Sequence, residues 1–154
     1  MKKITSAILF SIITAACFGQ ITAQDYCNLA DSMQKNNEFY KSVVYYTNAI
    51  ELSSENSQIK IESYVFRGYC KSELGDYRGA IDDYSTAIPM KITSGDMMPY
   101  QFNRRTMEIR ASCYYLRGLS YYNLHDLEKA CRDFSKAGEL GEKDAYDEIR
   151  KYCN

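Results

Sequence analysis

Residues 64–87 read YVFRGYCKSELGDYRGAIDDYSTA, and residues 114–137 read YYLRGLSYYNLHDLEKACRDFSKA. A shift of 50 residues lays one stretch on the other. Tyr64 falls on Tyr114, Arg67-Gly68 on Arg117-Gly118, Leu74 on Leu124 and Asp76 on Asp126. Further along, Ala80 falls on Ala130, Asp83 on Asp133, Tyr84 on Phe134, Ser85 on Ser135 and Ala87 on Ala137. A shift of 38 finds a weaker upstream copy, in which Tyr26 matches Tyr64, Ala30 matches Gly68, Phe39 matches Tyr77, Tyr46 matches Tyr84 and Ala49-Ile50 matches Ala87-Ile88.

Within each copy the spacing is helical. From Ile59 to Leu74, the residues Ile61, Tyr64, Val65 and Gly68 recur on one face. Gly75-Asp76 breaks that helix, and a second runs from Tyr77 through Ala80, Ile81, Tyr84 and Ala87. Small residues at Gly68 and Ala80 let the two helices approach closely, while Tyr84 fills space beyond. One such pair cannot bury both faces, so successive pairs must stack into a continuous core.

This order of bulky residue, glycine, aromatic, alanine, aromatic and alanine resembles the tetratricopeptide repeat family. The copy at 114–137 keeps the order with Leu127 in place of Tyr77 and His125 in place of Gly75. The copy at 26–50 departs furthest, with Ala30 for glycine and Ser42 for the packing alanine. The resemblance implies an all-α, right-handed solenoid of about three helix-turn-helix repeats over 24–56, 57–90 and 107–140. Spacing between the last alanines is uneven: Ala49 to Ala87 is 38 residues and Ala87 to Ala137 is 50, against ~34 in the usual repeat. The larger excess places an insertion at 89–106. Met107, Ala111, Tyr114, Gly118 and Tyr121 form one stripe, so the helix after it starts near Tyr100. After Gly141, a capping helix over 142–153 carries Ala145, Ile149 and Tyr152 on one face and polar residues elsewhere.

The first 23 residues read as an export signal that precedes a single domain over 24–154. Lys2 and Lys3 come before the apolar run Ala7-Ile8-Leu9-Phe10-Ser11-Ile12-Ile13, which is too short to span a bilayer. Two processing routes stay open. One is a cut after Ala23. The other reads Thr14-Ala15-Ala16-Cys17 as a lipoprotein signal with Cys17 lipidated, although Thr14 stands where an aliphatic residue is usual. Either route puts the protein in the periplasm or cell envelope, secreted, or held at an outer membrane by a lipid anchor. No later segment can cross a membrane.

Export also governs the six cysteines. Oxidising surroundings allow disulfides, and removing Cys17 from the count leaves the odd set Cys27, Cys70, Cys113, Cys131 and Cys153. Cys131 lies early in the last repeat's second helix and Cys153 late in the capping helix. Antiparallel packing of those helices brings the two together, which predicts a disulfide between them. Cys27, Cys70 and Cys113 cannot be paired from sequence.

Composition excludes more than it assigns. The net charge of -1 offers no field for nucleic acid. No glycine-rich phosphate loop, HExxH or serine-elbow motif occurs, and no cysteine spacing suits zinc. His125 is the single histidine and sits at a helix–helix turn without a nucleophile or co-ligands in its motif. No catalytic residue, metal or cofactor is assigned, and the chain reads as non-enzymatic. The resemblance instead implies a concave groove lined by the first helix of each repeat. By register its candidates are Asp31, Lys35, Glu62, Tyr69, Glu73, Tyr115, Leu119, Tyr122 and Asn123. Aromatics beside polar groups suit another protein or peptide. The lysine and asparagine set with which some relatives clamp a C-terminal carboxylate is missing. A second candidate surface is the insertion, where Met90, Met97, Met98, Tyr100, Phe102, Arg104 and Arg105 crowd together. Self-association through that insertion and the odd cysteine is the structural alternative, and an unrecognised small-ligand site or enzyme is the other.

Overall fold

The structure, a computed structural model, describes residues 20–93 and 99–153. Seven helices follow one another among the described residues: α1 (Ala23–Lys35), α2 (Phe39–Leu52), α3 (Gln58–Glu73), α4 (Tyr77–Ala87), α5 (Pro99–Asn123), α6 (Leu127–Glu139) and α7 (Asp144–Tyr152). They pair as α1/α2, α3/α4 and α5/α6. Each pair packs on the next, and the first helices also touch, α1 on α3 and α3 on α5. The result is an all-α solenoid.

The turn inside each pair is chemically the same. Asn37, Gly75 and His125 all take left-handed backbone, with φ of 60°, 80° and 62°. The residue after each closes a six-residue loop: Glu38 N–H donates to Met33 O, Asp76 N–H to Lys71 O and Asp126 N–H to Tyr121 O. These bonds satisfy carbonyls that a helix end would otherwise leave open. Asp76 and Asp126 then accept from Gly79 N–H and Lys129 N–H, which starts the second helix. Glu38 makes no such cap, so the first pair has the weakest turn. His125 therefore does a glycine's work at a backbone cost.

Close approach explains the glycines within the pairs. A Cβ on Gly68 would lie 2.8 Å from the Tyr84 ring, and one on Gly118 would lie 2.7 Å from the Phe134 ring. The first pair solves the same crossing differently. Ala30 stands in the glycine's place, and the buried Ser42 hydroxyl donates to Ala30 O at 2.8 Å.

An arginine locks each of the later pairs to the one before. Arg67 donates from Nε and Nη2 to the two carboxylate oxygens of Asp83, at 2.9 and 2.6 Å, and from Nη1 to Thr47 of α2 at 3.1 Å. Lys71 adds a contact to Asp83 at 2.9 Å. Fifty residues on, Arg117 repeats the fork on Asp133 at 2.7 and 2.9 Å, and reaches Ser85 of α4 at 2.9 Å. Each guanidinium also lies 5.3 Å from a ring centroid, that of Tyr64 or Tyr114. In the first pair the matching positions are Leu29 and Tyr45.

The start of the insertion is packed rather than free. Ile92 is buried, its N–H donates to Thr106 Oγ1 at 3.2 Å, and Arg110 donates to Ile88 O at 2.9 Å. Met90 packs on the same core as Ile109 and Cys113. Met97 and Met98 lie outside the described residues, as do the side chains of Tyr100 and Phe102. The signal segment and Cys17 lie outside them too.

At the other end α7 covers the last pair. Ala145 is buried, and Ile149 and Cys153 pack beside it against Ala130, Phe134 and Ala137. The Tyr146 hydroxyl donates to Gly138 O at 3.0 Å. Cys131 and Cys153 sit with Cα atoms 5.6 Å apart and sulfurs at bonding distance, 2.06 Å.

Candidate functional site

Stacking three first helices side by side leaves a trough along their shared inner face. Its larger part, about 360 Å³, is walled by Gln34 of α1, by Glu62, Phe66 and Tyr69 of α3, and by Arg105 and Leu116 of α5. Val65 and Ile109 form a buried floor. A second part, about 300 Å³, continues past Gln34, Phe66 and Tyr69 to Asp31, Lys35 and Phe39. Phe66 is 41% exposed despite its size, and its inner edge stacks on Tyr46, with ring centroids 5.8 Å apart. A large apolar side chain held rigid and open in this way is ready to be covered by something else.

Polar groups are anchored around that floor. The Tyr46 hydroxyl donates to Asp31 at 2.5 Å and lies 3.2 Å from the Gln34 amide, so both inner-face residues of α1 are fixed from below. Burial first, and the Asp31 carboxylate second, push the Tyr46 hydroxyl far above its ordinary pKa, so it stays a neutral donor. At the other end Arg105 bridges α5 to α3, with Nη2 2.5 Å and Nε 3.2 Å from one oxygen of Glu62, and Nη1 3.5 Å from Glu108. Donation to the Glu62 carboxylate holds the Arg105 pKa up. Gln58 also donates to Glu62, at 2.9 Å. Burial, then Glu73, raises the Tyr69 hydroxyl.

No group of three or more metal-binding side chains occurs among the described residues, and no helix there is long and apolar enough to cross a membrane.

Comparison with known proteins follows the same repeats. The tetratricopeptide repeat family matches residues 61–90 and 111–143. The fold is that of tetratricopeptide repeats. The TPR2AB domain of yeast Sti1, in a pHSP90 complex, superposes with a TM-score of 0.66 at 19% identity, over 84% of this chain and 45% of that one. This chain thus spans under half of the Sti1 fragment. The first TPR of Spaghetti (RPAP3), bound to the HSP90 peptide SRMEEVD, gives 0.67 at 19% identity, over 86% and 90% of the two chains. The N-terminal domain of stress-induced protein-1 from C. elegans gives 0.67 at 17%, over 86% and 94%. No curated protein matches the chain.

In the tetratricopeptide frame, the nine residues proposed from register divide into two groups. Asp31, Lys35, Glu62 and Tyr69 line the trough, with Glu73 beside Tyr69. Tyr115, Leu119 and Tyr122 instead pack in the seam with α6 and α7. Tyr115 lies 6.1 Å from the Phe134 ring, and Tyr122 lies 4.2 Å from the Tyr152 ring. Asn123 is exposed and donates to Leu119 O of its own helix. The capping helix packs on α6, and its Tyr152 ring meets Tyr122 of α5. Register missed Gln34, Phe66 and Ile109, and Arg105, expected on a separate insertion surface, stands in the trough wall. For Phe66 a signal existed, because it matches Leu116 at the 50-residue shift and neither faces its own partner helix. Arg105 belongs to the extension of α5, which no other repeat has, whereas Ile109 matches Ile59 of α3 at the 50-residue shift.

Proposed function

We propose that the protein is a non-enzymatic interaction module of the bacterial envelope that binds a protein or peptide in the trough. The observation that carries this is the trough itself: walls from three first helices around an apolar floor of Val65 and Ile109, with exposed Phe66 and half-buried Tyr69 between fixed polar groups. Two of the structural neighbours were solved with an HSP90 partner, which supports a binding role for this architecture. The envelope setting is supported by Lys2, Lys3 and the apolar run that follows, and by sulfurs placed to join Cys131 with Cys153. Both processing routes are kept, and they differ physically. Thr22 and Asp25 form a reciprocal cap on α1, which a cut after Ala23 removes and lipidation at Cys17 retains. The test is crosslinking and pull-down from envelope extract. Wild-type protein enriches a partner, and Phe66→Ala/Tyr69→Ala protein does not. Equal enrichment by both rules the trough out.

Self-association is the second reading, favoured by a different surface. Tyr40, 74% exposed, and Val44 stand one turn apart on the outer side of α2. A dimer mass in solution that Tyr40→Glu returns to monomer supports it, and a concentration-independent monomer excludes it.

A further inference from the structure

One side of the first pair differs from the same side of the later two. In the third pair Tyr114, Arg117, Arg132 and Asp133 line one shallow concavity, from which Arg117 reaches back to Ser85 of the preceding pair. Arg67 reaches back from the second pair to Thr47 in the same way. The matching residues are Tyr64, Arg67, Asp82 and Asp83 in the second pair, and Tyr26, Leu29, Val44 and Tyr45 in the first. Three charges stand at these positions in each later pair and none in the first. Leu29 is 42% exposed and Val44 46%, and Tyr26 packs on Tyr45 with ring centroids 6.3 Å apart. Since Arg67 and Arg117 both point to the preceding pair, this uncharged patch faces away from the second pair.

The molecule buries apolar surface by laying one helix pair on the next. Among the described residues, the helices that α1 and α2 pack on are each other and α3. At the far end α7 packs on α6 and is tied there through Cys131 and Cys153. A second copy stacked head to tail would therefore have to displace α7. Head to head, two uncharged patches meet with no like charges brought together and no charge buried without a partner. A contact of this isologous kind closes at two copies. From this we infer that two copies of the chain join first pair to first pair through Tyr26, Leu29, Val44 and Tyr45. The pairing rests on the self-association reading and gives it a surface and a symmetry. None of the four residues lines the trough, so the dimer presents two troughs to a bivalent partner.

Sedimentation velocity of the processed protein, from about 1 to about 200 μM, tests this, a span suited to weak association through a small patch. The expected result is a concentration-dependent dimer and nothing larger. Leu29→Arg/Tyr45→Asp installs the charges that the later pairs carry and should weaken the dimer roughly tenfold or more, because the contact would then desolvate them. Circular dichroism verifies that the double variant is folded. If it is not, Val44→Asp, on an exposed side chain and matching Asp82, gives the same readout with a smaller factor. A dimer indifferent to these substitutions overturns the surface and leaves self-association standing. Growth beyond the dimer overturns the head-to-head symmetry. A monomer at every concentration overturns the pairing and the self-association reading together. If that monomer sediments with vesicles of phosphatidylethanolamine and phosphatidylglycerol, and the double variant does not, the patch belongs to a membrane surface instead.

Discussion

Replacing Asp133 with alanine removes the acceptor of the Arg117 fork. The Arg117 side chain is 18% exposed and that of Asp133 6%, so the guanidinium is left mostly buried, with a hydrogen bond to Ser85 and the Tyr114 and Tyr121 rings but no carboxylate. Breaking a buried pair by deleting one member costs about 3 kcal/mol, chiefly because the other charge stays desolvated without compensation. For a domain of this size the loss lowers Tm by roughly 10 °C. Arg117→Leu removes the other member and destabilises for the same reason. The double variant Arg117→Leu/Asp133→Leu buries no charge, and it should return to within about 1 kcal/mol of wild type, as apolar replacements of buried pairs do elsewhere. The chain carries its own precedent, since Leu29 and Tyr45 hold these positions in the first repeat. Urea unfolding of wild type, Asp133→Leu, Arg117→Leu and the double variant, followed by circular dichroism, closes the cycle, with Asp133→Ala measured beside them. The reasoning is refuted if Asp133→Ala costs under 1 kcal/mol, or if the double variant loses as much as the two single losses together.

Three further outcomes follow from the same structure. His125→Gly relieves the left-handed backbone at φ 62° and should raise stability by about 1 kcal/mol, visible as a higher urea midpoint with unchanged slope. Under native, non-reducing conditions, mass spectrometry after alkylation should find Cys131 and Cys153 unmodified and joined. Half-buried Cys27 should be labelled before the fully buried Cys70 and Cys113, the last with its thiol pushed up to about 12 by burial; reduction should lower stability by about 3 kcal/mol in the chain-entropy account. Protein beginning at Gln24 lacks the Thr22 cap, so amides in the first turn of α1 should exchange roughly fivefold faster than in protein that retains Thr22.

The repeats are readable from sequence because their packing admits few side chains. Gly68 and Gly118 must lie under Tyr84 and Phe134, so the pattern survives divergence elsewhere. The matched Arg67, Asp83, Arg117 and Asp133 are also visible at the 50-residue shift. Their pairing is not, because a self-comparison registers identity and not which side of a helix meets which neighbour. Half of the trough was legible for the same reason: Asp31, Lys35, Glu62 and Tyr69 follow from position within a repeat. Its other wall depends on what is unique to this chain. Arg105 belongs to turns added to α5, where no second copy calibrates it. Tyr115, Leu119 and Tyr122 occupy inner-face positions by register, yet they are partly buried against the cluster that α6 and α7 share, and no internal comparison reveals where the end of a chain will lie.

Site-specific photo-crosslinking in envelope extract tests the binding face most directly. A photoreactive residue at position 66 lies in the trough, and one at position 40 lies on the outer side of α2. A partner that crosslinks from position 66 and not from position 40, and that disappears when Tyr69 is replaced by alanine, is the result predicted. Crosslinks from position 40 alone, or at position 66 indifferent to Tyr69, would contradict it.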